Sequence, residues 1–339
     1  MTNYLGVEFA KIIRLKSLGM SMVPVIGALS VHGDLSFYDF IVLFFIGILI
    51  NAVGFMLNDL IDIKRDSESS DFSERPLVKG ILPTIFVRKI IVLFIVVALL
   101  SATLYFQNLF ALLVLMLGSG FGILYDIYSK KIYGVDLFLA AAFTLFCLFG
   151  MLTQTSRLFN FNIILLLLIF FQILYFNIIE GGLKDAYADS STKAKTLAVK
   201  FGVGTIPEVR IPLKFRLVAL GLEGIVFTLT ISPFLLIPNI YLFEFWFINL
   251  GFIVAIGVSY AITMFKMLNI KIFQRDNLRF MIGAQELKRY LNYLGILSLI
   301  TGFLWPIILI GVPILWALVW MFLFKVLYHQ PLPRTSKLL

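Results

Sequence analysis

Between residues 58 and 66 the chain reads Asn58-Asp59-Leu60-Ile61-Asp62-Ile63-Lys64-Arg65-Asp66, directly after a long apolar stretch. On a helix its three aspartates lie at positions i, i+3 and i+7, within an arc of roughly 60°, and so form one acidic stripe. Carboxylates crowded at the mouth of a membrane span are costly to desolvate unless a cation joins them. Mg²⁺ suits this role, because it prefers carboxylate oxygens and keeps coordination positions open for phosphate. We predict metal binding by Asn58, Asp59, Asp62 and Asp66.

A second acidic pair, Asp185 and Asp189, lies at i and i+4 after another apolar stretch. Alone this spacing is weak evidence, because many exposed helices carry two acids four residues apart. Gly181 and Gly182 precede the pair and would let a helix or a phosphate approach the backbone closely. Glu180 is either a third ligand or an acid at the membrane interface. Two acidic helix ends indicate two sides of one metal–diphosphate site.

The composition identifies a membrane protein with several spans. Of the 339 residues, 60% are hydrophobic and 14% are charged, whereas a soluble domain carries about 25% charged residues. The net charge of +9 is better explained by a membrane surface than by nucleic acid. The single Cys147 excludes an internal disulfide and is expected in the core. No cleavable signal-peptide pattern opens the chain, so we expect the first span to be retained.

The hydrophobic pattern predicts an amphipathic segment over residues 1–14 and then a series of spans of about 20 residues each. The predicted spans are 15–31, 36–57, 87–106, 108–125, 136–153, 161–180, 216–237 and 241–265.

The last apolar stretch, residues 291–328, is too long for one helix and contains Pro306, Gly311 and Pro313. It is either one span with an interfacial tail or a tight hairpin of two spans, and we favour the hairpin. The basic segment 266–290 is either an interfacial helix that caps the site or a surface loop.

Loop charge predicts the orientation. Of the 28 Lys and Arg residues, 24 fall on one face if the predicted spans alternate, and the opposite face holds only Arg157. The positive-inside bias then places the N-terminus and both acidic motifs on the cytoplasmic side of the cell (inner) membrane.

Basic residues on the same face can neutralise phosphate and stabilise a departing diphosphate. Arg75 and Lys130 are singled out by the patterns around them, Arg75-Pro76-Leu77-x-x-Gly80 and Tyr125-Asp126-Ile127-Tyr128-Ser129-Lys130-Lys131. The choice between Lys130 and Lys131 stays open. The candidate diphosphate-binding residues are Asn58, Arg75, Tyr125, Lys130, Lys131 and Lys184, and the candidate catalytic residues are Asp59, Asp62, Asp185 and Lys130.

In order and spacing these motifs resemble the UbiA superfamily of intramembrane prenyltransferases, over roughly residues 10–310. The resemblance also covers Asp185-x-x-x-Asp189 and the segment Lys195-Thr196-Leu197-Ala198-Val199 with Gly202. It implies a single all-α domain over 1–339, a polytopic bundle of nine transmembrane helices around a central cavity. It also implies two Asp-rich motifs that hold a prenyl diphosphate through Mg²⁺. Two features depart from the family: the tyrosine–lysine element lacks the usual prolines, and residues 312–328 exceed the usual length and could form a tenth helix.

The resemblance implies Mg²⁺-dependent transfer of a prenyl group from an isoprenyl diphosphate to a lipophilic aromatic acceptor of the quinone-precursor type. A glycerol-phosphate lipid hydroxyl, as in digeranylgeranylglyceryl phosphate synthase, is the second choice of acceptor. A cation-coupled transporter is the alternative from another class. It would place its acids near the midplane of broken helices, whereas these acids lie at span ends on the basic face.

Overall fold

The computed structural model describes residues 2–14, 19–68, 75–155, 157–192, 194–204, 209–236, 246–270, 275–302, 304–312 and 314–315. Within these ranges the fold is helical, with one isolated β-bridge between Gly204 and Arg210. The predicted all-α class is therefore confirmed for the described part of the chain.

The helices are numbered here in chain order. They are α1 (Thr2–Ile12), α2 (Val23–His32), α3 (Phe37–Ser67), α4 (Thr84–Phe106), α5 (Leu109–Tyr128), α6 (Asp136–Gln154), α7 (Asn160–Tyr175), α8 (Gly182–Ser191), α9 (Leu197–Lys200), α10 (Leu213–Leu236), α11 (Trp246–Leu268) and α12 (Arg275–Thr301). A π-helical turn, Phe176–Gly181, joins α7 to α8, and a 3₁₀ turn, Gly19–Met22, precedes α2.

Seven helical segments in the described ranges are long and apolar enough to cross a membrane: α3, α4, α5, α6, the continuous α7–α8 segment, α10 and α11. A shorter apolar helix spans Met20–His32. These segments make the chain a multi-pass membrane protein, while the count of nine spans stays a prediction. Most of the segment 312–328, and with it the tenth helix, lies outside the described residues.

The helix α3 is longer than the predicted span 36–57. It begins after Ser36, whose hydroxyl accepts a hydrogen bond from the backbone N–H of Asp39, and it continues for 31 residues to Ser67. At 1.5 Å per residue it is about 46 Å long, whereas the hydrocarbon core of a bilayer is about 30 Å thick. The acidic stripe therefore forms the last turns of a spanning helix that is longer than the membrane core.

The predicted first span needs correction at its start. Helix α2 begins only at Val23, and residues 15–18 lie outside the described ranges. The predicted amphipathic lead-in forms α1. At its C-terminal end, Ile12 and the next residue, Ile13, share a buried cluster with Val53 and Met56 of α3.

The helix that contains the start of the last predicted apolar stretch begins before residue 291. Helix α12 begins at Arg275, so that from this residue on the basic segment is helical and is not a surface loop. The prediction missed this because two cations of α12 have partners inside the bundle. The Nζ of Lys288 donates to the Ser259 carbonyl oxygen (2.9 Å) and to the Thr263 hydroxyl (2.6 Å), and Arg289 pairs with an acid described below.

Beyond α12 the chain turns back. Gly302 has the left-handed φ of 64° that commonly ends a helix, and residues 304–312 are helical again. The hydroxyl of Tyr290 donates to the Leu309 carbonyl oxygen at 2.8 Å. On a straight helix these residues would be about 28 Å apart, so 304–312 runs alongside α12, as a hairpin requires.

Glycines allow the backbones of α2 and α6 to pack in direct contact. A Cβ atom on Gly150 would lie 1.9 Å from the carbonyl oxygen of Pro24, and one on Gly27 would lie 2.1 Å from that of Cys147. Cys147 is fully buried, as the sequence predicts. Lipid offers no hydrophobic drive between helices, so close packing at small residues is the usual source of their association.

We predict that Gly150→Ala destabilises the bundle, because overpacking of a tight contact costs about 1–3 kcal/mol. The apparent melting temperature of the purified protein in detergent should fall. Gly221→Ala on α10 is the matched control, since nothing lies within 4 Å of a Cβ there, and alanine favours a helix over glycine by up to about 1 kcal/mol. Equal melting temperatures for the two variants would contradict the packing argument.

Candidate active site

The three aspartates of the acidic stripe are buried at the end of α3. Asp59, Asp62 and Asp66 are 5%, 6% and 1% exposed. As their spacing predicts, they lie on one face, and side chains from several elements reach that face. Buried carboxylates need paired cations, and the structure supplies four of them.

Arg75 is the central cation of the first motif. Its Nη1 donates to Asp59 Oδ1 at 2.9 Å and to Asp66 Oδ2 at 2.5 Å. The chain returns there through a tight turn, in which Ile81 N–H donates to the Pro76 carbonyl oxygen (3.0 Å). Gly80 has a φ of 68° in this turn, which favours glycine. The Arg-Pro-Leu-x-x-Gly pattern thus encodes a turn that brings Arg75 back to the stripe.

Two further arginines complete the neutralisation of the stripe. The Nη2 of Arg14 donates to Asp59 Oδ1 at 3.1 Å, and its guanidinium lies 4.5 Å from the centroid of the Phe55 ring. Arg65 forms an ion pair with Asp62, one turn away on α3. The end of α3 therefore holds alternating charges rather than a bare acidic surface.

Lys130 joins the two acidic motifs. Its Nζ lies 3.6 Å from Asp62 Oδ2 and 3.9 Å from Asp189 Oδ1, so the two carboxylates are no further apart than the sum of these distances. The first and second motifs therefore lie at the same end of the bundle and face one another. Which side of the membrane this end faces stays a prediction.

The second motif is held by a loop that follows it. Asp189 is buried and accepts a hydrogen bond from the hydroxyl of Thr196. Next to Thr196, the backbone N–H of Lys195 donates to the carbonyl oxygen of Lys130 at 3.0 Å. The Lys195-Thr196 segment thereby fixes both Asp189 and the lysine that links it to the first motif.

Gly182 allows the close approach that the sequence predicts for this region. A Cβ at Gly182 would lie 2.8 Å from the Cβ of Ala198 in α9, so α9 packs directly on the start of α8. Asp185, three residues along α8, is partly exposed, with the Nζ of Lys184 4.0 Å from its Oδ2. The structure thus brings Asp189 into the buried network and leaves Asp185 nearer its edge.

The remaining predicted ligands have other surroundings. Asn58 donates a hydrogen bond to Asp126. The hydroxyl of Tyr125 donates to Asn177 Oδ1 at 3.0 Å, and the side chain of Lys131 is exposed. Lys130, rather than Lys131, is thus the lysine that lies between the acidic motifs. Glu180 is fully buried and paired with Arg289, so it faces the inside of the bundle.

Four residues of this network were missed by the sequence reasoning: Arg14, Arg65, Asp126 and Thr196. Arg14 is 45 residues from its partner Asp59, and no local spacing could have shown that pairing. Asp126 offered a signal, since it lies four residues before Lys130, one helical turn away.

The carboxylates of the site are of the type that binds a divalent ion, but basic side chains hold them in this structure. Among the described residues, no three acidic, histidine or cysteine side chains are grouped so as to hold a metal ion as they stand. Basic side chains separate the carboxylates: Arg75 lies between Asp59 and Asp66, and Lys130 lies between Asp62 and Asp189. Clustered buried carboxylates with a nearby amide oxygen are nonetheless the ligands that a hard divalent ion prefers. The residue types fit Mg²⁺, provided that these cations give up the carboxylates.

Several solved structures have a similar fold. A digeranylgeranylglyceryl phosphate synthase matches with a TM-score of 0.63 and 20% identity, over 87% of this chain and 98% of that one. A UbiA homologue from Archaeoglobus fulgidus bound to GPP and Mg²⁺ matches with 0.63 and 17%, over 86% and 99%. The apo UbiA homologue from Aeropyrum pernix K1 matches with 0.57 and 15%, over 91% and 98%. At these identities the likeness establishes the fold alone.

No curated protein sequence matches the chain. The sequence profile of the UbiA prenyltransferase family, however, matches residues 21–281, a range that contains both acidic motifs, Arg75 and Lys130. Because this match spans well over half of the protein, the chain belongs to the UbiA prenyltransferase family.

Proposed function

We propose that the protein transfers a prenyl group from an isoprenyl diphosphate to a lipophilic acceptor within the membrane, with Mg²⁺ held between its two aspartate motifs. The observation that carries this proposal is the position of the Lys130 ammonium, within 4 Å of both Asp62 and Asp189. Two acidic motifs that share one cation face a common space. UbiA homologues solved with GPP or DMAPP and Mg²⁺, and with Cd²⁺, support the choice of ligands.

The charges of the site support an exchange of ion partners. In the described structure Arg14, Arg65, Arg75 and Lys130 neutralise the carboxylates. A bound divalent ion would take over the carboxylates and leave these cations to pair with diphosphate oxygens, for which guanidinium groups have matching geometry. The network is thus complementary to a metal–diphosphate pair, in which each protein charge finds a new partner of opposite sign.

The residues that would hold the metal form two groups. Asn58, Asp59, Asp62 and Asp66 would bind one ion, and Asp185 with Asp189 would bind the other. Bound Mg²⁺ supplies Lewis-acid stabilisation of the departing diphosphate. Because the amide nitrogen of Asn58 donates to Asp126, its oxygen is left as a ligand, and Asp126 acts as the group that orients it.

Residues of the protein would carry out the other steps of the reaction. Arg75 and Lys130 would hold the diphosphate as the carbon–oxygen bond breaks and negative charge grows on the leaving group. The apolar bundle would exclude water from the allylic cation until the acceptor attacks it. The isoprenoid chain of the donor and the prenylated product are lipid-soluble, which gives a reason to place the chemistry in a membrane.

For the acceptor we propose an aromatic quinone precursor, by analogy with the family. A glycerol-phosphate lipid hydroxyl is the second candidate, and the structural likeness to a digeranylgeranylglyceryl phosphate synthase favours including it in any test. The transporter alternative is disfavoured, because Asp59, Asp62 and Asp66 occupy the last turns of α3 and not the middle of a broken helix.

The first motif can be tested by Asp62→Asn. Loss of this carboxylate should lower Mg²⁺-dependent diphosphate release from geranylgeranyl diphosphate by at least 100-fold, because an essential ligand charge is removed. Asp39→Asn is the matched control, since Asp39 lies in the first turn of the same helix. Full turnover by Asp62→Asn would end the proposal.

The role of Lys130 can be compared directly with that of its neighbour. We expect Lys130→Met to lower kcat/KM for the prenyl diphosphate at least tenfold more than Lys131→Met, because only the former lies between the motifs. Steady-state kinetics at saturating Mg²⁺ would measure this ratio. Equal losses in the two variants would show that the bridge between Asp62 and Asp189 has no catalytic role.

The acceptor can be identified with a panel. Purified protein would be incubated with geranylgeranyl diphosphate, Mg²⁺ and either hydroxybenzoate, dihydroxynaphthoate or a glycerol-phosphate lipid, and the products would be identified by mass. We expect a prenylated aromatic product. A prenylated glycerol phosphate alone would select the second candidate, and Mg²⁺-dependent binding without any product would indicate a catalytically silent lipid-binding protein.

A further inference from the structure

We infer that Glu180 and Arg289 are positioning residues, whose buried ion pair fixes the π-helical turn that directs Asp185 and Asp189 toward the first aspartate motif. This inference rests on the proposed function. It concerns a cluster outside the diphosphate site, made by the turn Phe176–Gly181 together with α11 and α12.

The ion pair is deeply buried. Glu180 is 0% exposed and Arg289 is 5% exposed. Glu180 Oε1 accepts hydrogen bonds from Arg289 Nη2 at 2.6 Å and from the Tyr260 hydroxyl at 3.1 Å. Arg289 Nη2 also reaches the Tyr260 oxygen at 3.1 Å, and the guanidinium lies 5.2 Å from the centroid of the Phe176 ring. Two residues of the π turn, Phe176 and Glu180, are thus tied to α11 and α12.

A second set of contacts holds the same turn from another side. The Tyr125 hydroxyl of α5 donates to Asn177 Oδ1 at 3.0 Å, and Asn177 Nδ2 donates to Asp136 Oδ1 of α6 at 2.6 Å. Asn177 lies next to Phe176 in the turn. Polar side chains from four helices therefore fix a segment of only six residues.

The turn matters because it sets the direction of the second motif. Gly182 N–H bonds to the carbonyl oxygen of Asn177, five residues earlier, as in a π-helix. One extra residue in a turn rotates everything after it by about 100° relative to an uninterrupted α-helix. If the turn relaxed to α geometry, Asp189 would rotate off the face where Lys130 and Thr196 meet it.

The chemistry of the Glu180–Arg289 ion pair favours a role in positioning the turn over a role in stability alone. Apolar residues of similar size often replace a buried ion pair without loss of stability, whereas removal of one partner leaves an uncompensated buried charge. A charged pair between helices instead specifies the arrangement of the turn, because Glu180 Oε1 accepts hydrogen bonds from both Arg289 and Tyr260. Both partners must therefore be changed together in a test.

The test uses the full-length protein in detergent and the double variant Glu180→Gln/Arg289→Met. Mn²⁺ replaces Mg²⁺ as a spectroscopic probe, and its binding is followed by electron paramagnetic resonance with geranyl thiodiphosphate, a slowly reacting analogue. We expect at least tenfold weaker Mn²⁺ binding and a similar rise in KM for the prenyl diphosphate. The KM for the acceptor should change less than twofold, which a general loss of structure would not produce.

Tyr260→Phe is the second variant, because it removes only the hydroxyl shared by Glu180 and Arg289. We expect it to weaken Mn²⁺ binding about threefold or more. Asp34→Asn and Arg157→Met are the matched controls, since both side chains are exposed and each loses the same kind of charge. Both controls should bind Mn²⁺ as the wild-type protein does.

The outcomes separate the two proposals. A wild-type protein that binds no Mn²⁺ with the analogue overturns the proposed function. If the wild-type protein binds and the folded double variant is indistinguishable from it, only the positioning role is overturned. Should the double variant fail to fold, wild-type binding and kinetics in Tyr260→Phe overturn the positioning role instead.

Discussion

The site depends on the neutralisation of buried carboxylates by cations that come from different parts of the chain. Arg14 follows α1, Arg75 comes from the turn after α3 and Lys130 from the loop after α5. Without them, aspartates at the end of α3 would repel one another in a poorly solvated environment. These ion pairs therefore determine where the loops at this end of the bundle lie, as well as its charge.

Away from the acidic end, close packing between helices holds the bundle together. Backbone contact between α2 and α6 at Gly27 and Gly150 replaces the hydrophobic drive that lipid cannot provide between helices. Backbone packing at glycines and polar side-chain pairing therefore act in different parts of the protein. Close packing determines how helices such as α2 and α6 are arranged. The paired polar side chains, including Glu180 with Arg289, determine the orientation of the segments that carry the aspartates.

Features encoded within a few residues could be predicted from the sequence. The stripe of Asp59, Asp62 and Asp66 follows from helical periodicity, and the pattern Arg-Pro-Leu-x-x-Gly singles out Arg75 as a cation of the site. Contacts between distant residues could not be predicted in this way, since Glu180 and Arg289 are 109 residues apart. The same pairing explains why α12 begins before the apolar stretch at residue 291. A hydropathy pattern treats Arg289 as a residue that faces water, although its charge is neutralised inside the bundle.

The length of α3 has a consequence for how an amphiphile meets the protein. A helix of 31 residues is about half as long again as the hydrocarbon layer is thick, and the aspartates occupy its surplus turns. If the protein binds a prenyl diphosphate as proposed, the headgroup can stay at the lipid–water boundary while the isoprenoid chain lies among the acyl tails. For such a substrate the diphosphate would not have to enter the hydrocarbon layer, and only the carbon skeleton would partition inward.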